Sequence, residues 1–385
     1  MKRYTTTPVF AALVAVAFLV LSCGRPSGGT EGTEGAAPRG GTARDGTAQG
    51  LRAALAADGF STLVLLPTTP VKNQSSTPLC WLYAMTATIE TEHIGQGDSV
   101  NLSTDFTARQ YLSDLARRYF FTRRAEDLSL RGTAPMGVAL LRRYGAMPWD
   151  SYHSGSATVT DGPSGVRTAC PPAPPYRSIA RRLTLAARSQ QSAAAYGRVV
   201  ERLLDETVGA VPPHVFMLGA EYSPRDFAQS VCRAGEWRAV TSFSHHPFGR
   251  DTDLELADNR LGQRFMNVPV DSLVAIIKAS LRDGHPVCWE GDISEPGFGW
   301  ADGVADIPVS TPLTQRQRQR MFERRLTTDD HCMALVGMAR RVGDGALFFI
   351  AKNSWGDSNR LHGFMLLSER YVRMKTVAAV VKMEK

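Results

Sequence analysis

Apolar positions are spread unevenly along this chain. Residues 9–21 form one unbroken apolar run of 13, preceded by Lys2 and Arg3 and followed by Ser22, Cys23 and Gly24. The run is shorter than the ~18 residues that mark a membrane helix. A basic start, a short apolar stretch and a small-residue end mark a processing signal. Residues 24–50 follow, with nine glycines and no aromatic. Such a stretch buries too little surface to offset chain entropy and reads as a flexible tether. Random-coil scaling gives it a reach of roughly 30 Å. The folded part is expected from residue 51 to residue 385.

Within that part the periodicity changes along the chain. Residues 61–67 read as a short strand. Over residues 78–94, Leu79, Leu82, Tyr83, Thr86 and Ile89 recur at helical spacing behind Pro78. Residues 105–121 and 136–144 predict further helices, and residues 157–175 a Gly/Pro/Thr-rich loop. Residues 178–208 form a long Ala/Arg/Leu-rich helical stretch, continuous or broken. Residues 270–283 predict another helix. Strand-like runs then follow at 286–289, 333–338, 347–352, 363–367 and 376–381. The polar, basic residues 315–326 predict a surface helix. Helices lead and strands follow, which predicts an α+β protein with a helical half and a sheet half. The cleft between the halves is the natural place for a substrate.

Composition narrows the class. Hydrophobic residues at 43% and charged residues at 21% can build a core. Lys+Arg 44 against Asp+Glu 37 gives +7. The excess is scattered, without a long basic run interleaved with aromatics, so no nucleic-acid surface is expected. Six cysteines are too few for a disulfide scaffold, and without CxxC pairs they do not suggest zinc. His245 and His246 are adjacent, would point apart in a strand, and lack a partner pair at ligand spacing. Neither a metal nor a cofactor is expected.

Three short segments carry candidate chemistry. In residues 70–81 (PVKNQSSTPLCW) a loop holding Gln74 leads to Cys80 in the first turn of a helix. A helix N-terminus favours a thiolate. The Gln74 amide and the Cys80 backbone N–H can form an oxyanion hole. In residues 327–337, His331 precedes an apolar strand ending in glycine. In residues 348–356, Asn353 ends a strand where it can orient a histidine, and Trp355 can shield that hydrogen bond. Each segment alone has a structural reading: a buried cysteine, a strand-start histidine, an Asn-Ser turn over a core tryptophan.

Taken together, Gln, Cys, His and Asn in this order resemble the papain-like cysteine peptidases. The resemblance rests on PVKNQ with Cys80-Trp81 six residues after the glutamine, and on KNSWG after the histidine. It implies a two-lobed fold, with the cysteine in a helical lobe and the histidine and asparagine in a sheet lobe. It also implies acyl transfer by Cys80, His331, Asn353 and Gln74, with Trp355 supporting. The stretch before Cys80 lacks the first cysteine of the cathepsin pattern C-G-[SA]-C-[WY]. From Cys80 to His331 is 251 residues, against roughly 130–150 in those enzymes, so helical insertions are expected. That departure resembles the bleomycin hydrolase and aminopeptidase C branch. So do residues 136–148 with their Leu-Leu…Tyr-Gly turn, residues 222–227, and residues 287–294. Asp330 could tune His331 or lie at the surface. Glu290 and Asp292 could line a pocket, a solvated or capping role being the stronger expectation.

The resemblance implies a peptide or protein substrate. Aminopeptidase and endopeptidase modes stay open, because only residues 382–385 follow the last strand-like run. The oligomeric state stays open too. A non-catalytic peptide-binding protein of the same shape and a thiol amidase or acyltransferase are the alternatives. Residues 20–24 resemble a bacterial lipobox. Residues 1–22 would then be a signal peptide, residues 23–50 the lipidated Cys23 and tether, and residues 51–385 the peptidase domain. Gly24 is not a retention aspartate, which favours the outer membrane. Pairing among Cys170, Cys232, Cys288 and Cys332 is left open, free buried thiols included. No helical propeptide is expected, because residues 51–59 are too short for one.

Overall fold

The helix expected over residues 78–94 runs from Cys80 to Gly95, and residues 81–94 are all buried. A helix buried on every side is a core element rather than a surface one, and the rest of the fold is arranged around it. The computed structural model describes residues 42–153, 173–217 and 219–383. The signal segment, Cys23, Cys170 and most of the loop expected at residues 157–175 lie outside the described residues. No described helix is long and apolar enough to cross a membrane.

The first half contains α1 (Thr42–Ala57), β1 (Phe60–Leu65), α2 (Cys80–Gly95), α3 (Thr104–Thr122) and α4 (Ala134–Tyr144). It continues through α5 (Tyr176–Ser189), α6 (Ala193–Thr207), the hairpin β2 (Val215–Met217) and β3 (Ala220–Tyr222), and α7 (Pro224–Val231). The second half begins with β4 (Trp237–Thr241), β5 (Arg250–Asp253), β6 (Arg264–Asn267), α8 (Val270–Arg282) and β7 (Val287–Gly291). Then come β8 (Phe298–Gly299), β9 (Val304–Ala305), α9 (Gln315–Glu323), β10 (His331–Arg341) and β11 (Leu347–Lys352). The chain closes with β12 (Phe364–Ser368), α10 (Glu369–Lys375) and β13 (Thr376–Lys382).

Eleven strands form one sheet in the order β5-β6-β4-β13-β7-β10-β11-β12-β9-β8, with β1 also paired to β10. Its central strands are covered on both faces, which is why they read as continuous apolar runs instead of alternating. On β10, Cys332, Ala334 and Val336 pack towards the core shared with α1 and α2. Met333 and Leu335 pack on the other face, against Leu273, Ile277 and Leu281 of α8 and Tyr371 and Val372 of α10.

Four expectations change or are decided. The tether was expected to reach residue 50, yet α1 starts at Thr42, because the Ala-rich stretch buries Leu51 and Leu55 against the sheet. The stretch at residues 178–208 is two helices, separated at Gln190, which is extended, and capped anew by Ser192. Both are inserted between α4 and the sheet half. Arg109 of α3 binds them through Glu201 at 3.2 Å and Asp205, both on α6.

The third change concerns residues 315–326. Their helix is α9, but Arg318 is completely buried. Its guanidinium donates to the carbonyls of Ser242 (2.9 Å), Arg373 (3.0 Å) and Thr376 and lies 4.7 Å over the Phe243 ring. Burial lowers its pKa to about 9. A basic run therefore hides one arginine that ties α9 to the ends of β4 and α10. Finally, β4, β5 and β6 extend the sheet through residues that carry no strand-like apolar run.

Candidate active site

Two loops cross at the site. The Gln74 N–H donates to the Ser354 carbonyl at 2.7 Å, and the Gly356 N–H to that of Lys72 at 3.2 Å. The Ser354 hydroxyl donates to Gln74 Oε1 at 2.6 Å. Asn73 and Trp355 form an isolated antiparallel bridge. The Gln segment that leads into α2 is thereby fastened to the segment after β11, and residues 280 positions apart are brought together.

Beneath this crossing lies a buried charge cluster. Glu90 of α2 accepts from Thr69 Oγ1 (2.6 Å), Lys72 Nζ (2.5 Å) and the Leu102 N–H (2.7 Å). Lys72 also donates to the Leu102 carbonyl at 2.8 Å. Lys352 donates to Thr69 at 2.7 Å. Glu90 is fully buried, and it holds the Gln74 loop by pairing with Lys72, two residues before Gln74.

The structure brings together Cys80, His331, Asn353, Gln74 and Trp355. Cys80 opens α2, and Leu79 before it makes no side-chain cap; the Leu82 N–H turns back to the Leu79 carbonyl at 2.9 Å, so it is the Cys80 and Trp81 N–H groups that are left for the sulfur or a ligand. His331 opens β10 and Asn353 follows β11. Both are buried. His331 Nε2 lies 2.7 Å from Asn353 Oδ1. That oxygen also accepts the Ser354 N–H at 2.7 Å, so it is the amide oxygen that faces the ring. The ring proton therefore sits on Nε2, and Nδ1 is left for Cys80. Trp355 covers the pair, its ring 4.7 Å from that of His331. Gln74 Nε2 donates to the Thr77 carbonyl at 3.0 Å and carries a second N–H.

The Cys80 thiol is held well below the ordinary thiol range, first by a hydrogen bond from Cys332, against the opposing effect of burial, and then by His331. Burial pushes Cys332 itself well above that range, so it stays protonated and donates. Cys332 directly follows His331, and nothing in the sequence pattern separates it from an ordinary apolar strand position. Alkylation of Cys80 is expected to stay fast well below pH 9 and to slow as pH falls through its depressed pKa. Cys332→Ala should move that acid limb to higher pH, measured as iodoacetamide rate against pH. An unmoved limb would show that Cys332 does not support the thiolate.

Other candidates fall elsewhere. Cys232, Cys288 and Cys332 are buried free thiols, with Cys232 pushed up to about 12 by burial. Asp330 serves its own turn, accepting from Thr328 Oγ1 at 2.5 Å and the Ile293 N–H at 3.3 Å. Glu290 and Asp292 are not solvated, and each accepts a backbone N–H in the capping manner expected, Glu290 that of Ala134 at the start of α4 (2.9 Å) and Asp292 that of Ser294 (2.8 Å). Glu290 lies fully buried in the central strand β7. Asp292 follows β7 and pairs at 3.4 Å with the buried Lys375. His245 and His246 do not point apart, because they lie in a turn after β4. Each places Nε2 2.9 Å from Glu255, and the three ligand atoms lie within 4.8 Å of one another. The amide of Gln319 decides what His245 does there. Its Oε1 accepts the Ser244 N–H at 2.7 Å, so its Nε2 donates to His245 Nδ1 at 2.9 Å. That leaves the proton on His245 Nε2, which donates to Glu255 rather than offering a lone pair to a metal.

Comparison with known proteins bears on the family and the fold. The Peptidase C1-like family matches residues 216–385. Aminopeptidase G of Lactobacillus delbrueckii subsp. lactis is 24% identical over 369 residues, covering 82% of this chain and 81% of its own. Aminopeptidase C of Streptococcus thermophilus is 25% identical over 146 residues, 35% of this chain and 32% of its own. PepW from Lactobacillus rhamnosis HN001 superimposes with a TM-score of 0.60 at 16% identity, over 86% of this chain and 87% of its own. Together these similarities support a papain-like cysteine peptidase of the aminopeptidase C branch.

Proposed function

We propose that this cysteine peptidase removes residues from the N-terminus of peptides by acyl transfer through Cys80, His331, Asn353 and Gln74. The Cys80 thiolate attacks the peptide carbonyl. Gln74 Nε2–H and the Cys80 backbone N–H hold the oxyanion. Protonated His331 delivers a proton from Nδ1 to the leaving amine and then activates the water that releases the acyl group. Asn353 holds the imidazole, in the orienting role an aspartate has in serine triads. The observation that carries the reading is the 2.7 Å bond from His331 Nε2 to Asn353 Oδ1, which leaves the other ring nitrogen for a depressed Cys80 thiol. The aminopeptidase mode is supported by similarity to aminopeptidase G across four-fifths of both chains.

Digesting a peptide library and reading the cut positions by mass spectrometry tests this. Stepwise loss of N-terminal residues is expected, and cuts confined to chain interiors would reject the exopeptidase mode. Products joined to added amines would mark an acyltransferase instead. Asn353→Ala is expected to lower kcat by about 10²-fold through a misplaced imidazole, with KM little changed. An unaltered kcat would remove Asn353 from the machinery.

The lipid anchor is proposed on sequence alone. Cys23 at the end of the apolar run would be acylated and hold the enzyme on the cell envelope, the outer membrane being favoured by Gly24. Incorporation of labelled palmitate that is lost in Cys23→Ser is the expected result. Labelling that survives the substitution would reject it.

A further inference from the structure

Three aromatic rings run outwards from the His331 imidazole. The Trp355 ring lies 4.7 Å from that of His331. Trp300 stands 5.1 Å and Phe298 6.1 Å from Trp355, both edge to face. All three side chains are only partly buried. Phe298 and Trp300 pack one side against the core of the sheet half and leave the rest open. The acyl-transfer scheme uses Trp355 as a cover for His331 and gives Phe298 and Trp300 no part.

A short hairpin holds these two rings in place. Phe298 and Gly299 of β8 pair with Ala305 and Val304 of β9, and β9 pairs with β12. The turn closes where the Gly303 N–H donates to the carbonyls of Gly299 (3.0 Å) and Trp300 (3.1 Å). Gly303 has a φ of +72°, and a side chain there would meet Leu361 at 2.9 Å. The Ala301 carbonyl accepts the Arg360 N–H at 3.1 Å, which ties the turn to the loop that follows Trp355. The rings are thus fixed before a substrate arrives, and binding to them costs little ordering. No local pattern in residues 298–305 connects them to the site; only the contact with Trp355 does.

The direction of the reaction decides which part of a substrate meets the rings. The acyl half is bonded to Cys80 and held at Gln74. The leaving amine takes its proton from His331 Nδ1, so the other half departs across the imidazole. Its first residue is carried by that nitrogen, which puts its side chain on the side of Trp355. We propose that Phe298, Trp300 and Trp355 form a shelf for the side chain just after the cut bond, and that Trp300 makes the enzyme prefer a large apolar residue there. The inference rests on His331 being the proton donor to the leaving amine. Partly open rings gain when an apolar side chain covers them. A cation over a tryptophan face is the competing occupant, but it needs one face, and three rings offer more apolar area than that.

Hydrolysis of four dipeptide amides by the full chain tests this: Ala-Phe, Ala-Gly, Ala-Lys and Phe-Gly amide. The wild type should cleave Ala-Phe amide with a kcat/KM about 10- to 100-fold above that for Ala-Gly amide, the gain from burying one large apolar side chain. In Trp300→Ala that ratio should fall to about 1–3, whereas Trp300→Phe, which keeps a ring, should retain most of it. The ratio cancels any general loss of Cys80 or His331 reactivity. A wild-type ratio near 1 overturns the proposal and needs no variant. So does a ratio retained in Trp300→Ala, or Ala-Lys amide cleaved as well as Ala-Phe amide. If Trp300→Ala instead lowers the preference for Phe-Gly over Ala-Gly amide, the rings serve the acyl half and the proposal falls. The N-acetyl forms separate the shelf from the exopeptidase mode. If only they are cut, that mode fails, and the same ratio among them upholds or overturns the shelf. If no amide is cut in either form, the peptidase reading falls and the shelf with it.

Discussion

Cys80→Ala is expected to abolish peptide hydrolysis, with kcat lower by about 10⁴- to 10⁶-fold, the scale seen when a covalent nucleophile is removed. No neighbour can replace it. Cys332 is beside it, but burial keeps that thiol protonated, and it lies in the sheet rather than at a helix N-terminus. What remains in the variant is the oxyanion site and His331, which bind and polarise a carbonyl without attacking it. Turnover of an aminoacyl-amidomethylcoumarin by wild type and variant measures the difference. Hydrolysis persisting at more than a hundredth of the wild-type rate would mean that another group does the chemistry. Thermal unfolding of the variant should stay close to wild type, because the cysteine is only partly buried and loses one sulfur atom.

Glu90→Ala carries the largest expected effect on stability, a loss of about 3–5 kcal/mol. The substitution removes one carboxylate and strands several partners at once. Lys72 would be left in a buried site with the Leu102 carbonyl as its remaining hydrogen-bond acceptor. The Leu102 N–H and the Thr69 hydroxyl would lose their acceptor as well. Because Lys72 lies in the loop that delivers Gln74, residual activity should fall further than the folded fraction accounts for. Urea unfolding gives the stability, and kcat per folded molecule gives the second effect. A loss below about 1 kcal/mol would show that water enters and replaces the carboxylate.

The two expectations differ in how far the sequence could have supplied them. Cys80 was legible because its segment carries several coincident signals: a glutamine six residues earlier, a proline at a helix start, a tryptophan after. Glu90 was not, although it lies within the same helix. A polar residue at one turn of an otherwise apolar helix reads as its solvent side. The side becomes an interior only because the loop at residues 69–74 and Leu102 close over it. Arg318 was misread for the same reason. In a run of glutamines and arginines, nothing local distinguishes the one whose guanidinium is covered by carbonyls of β4 and α10. The converging pair His245 and His246 failed on an assumption of strand geometry, because a turn after β4 lets neighbours share a partner.

The order of the elements was legible where one physical cause dominated. The runs at residues 333–338 and 347–352 are apolar throughout because their strands are covered on both faces, and both were found. β5 (RDTD) and β6 (RFMN) lie at the margin of the sheet, and each is only four residues long with one apolar side chain at most in the core, Phe265. Hydropathy is silent there. The break between α5 and α6 likewise follows from how two helices fold back on each other, which propensity alone leaves open.

By itself, the sequence pointed to a cysteine peptidase and to Gln74, Cys80, His331 and Asn353 as its candidate machinery, because local context around each survives in a short motif. It also determined the helical and sheet halves, because burial writes its period into the chain. Only the tertiary structure decided which nitrogen of His331 faces the sulfur, which thiol supports Cys80, and which rings stand beside the imidazole. Those depend on the distance and desolvation of groups far apart in the chain, and neither quantity is encoded in any one segment.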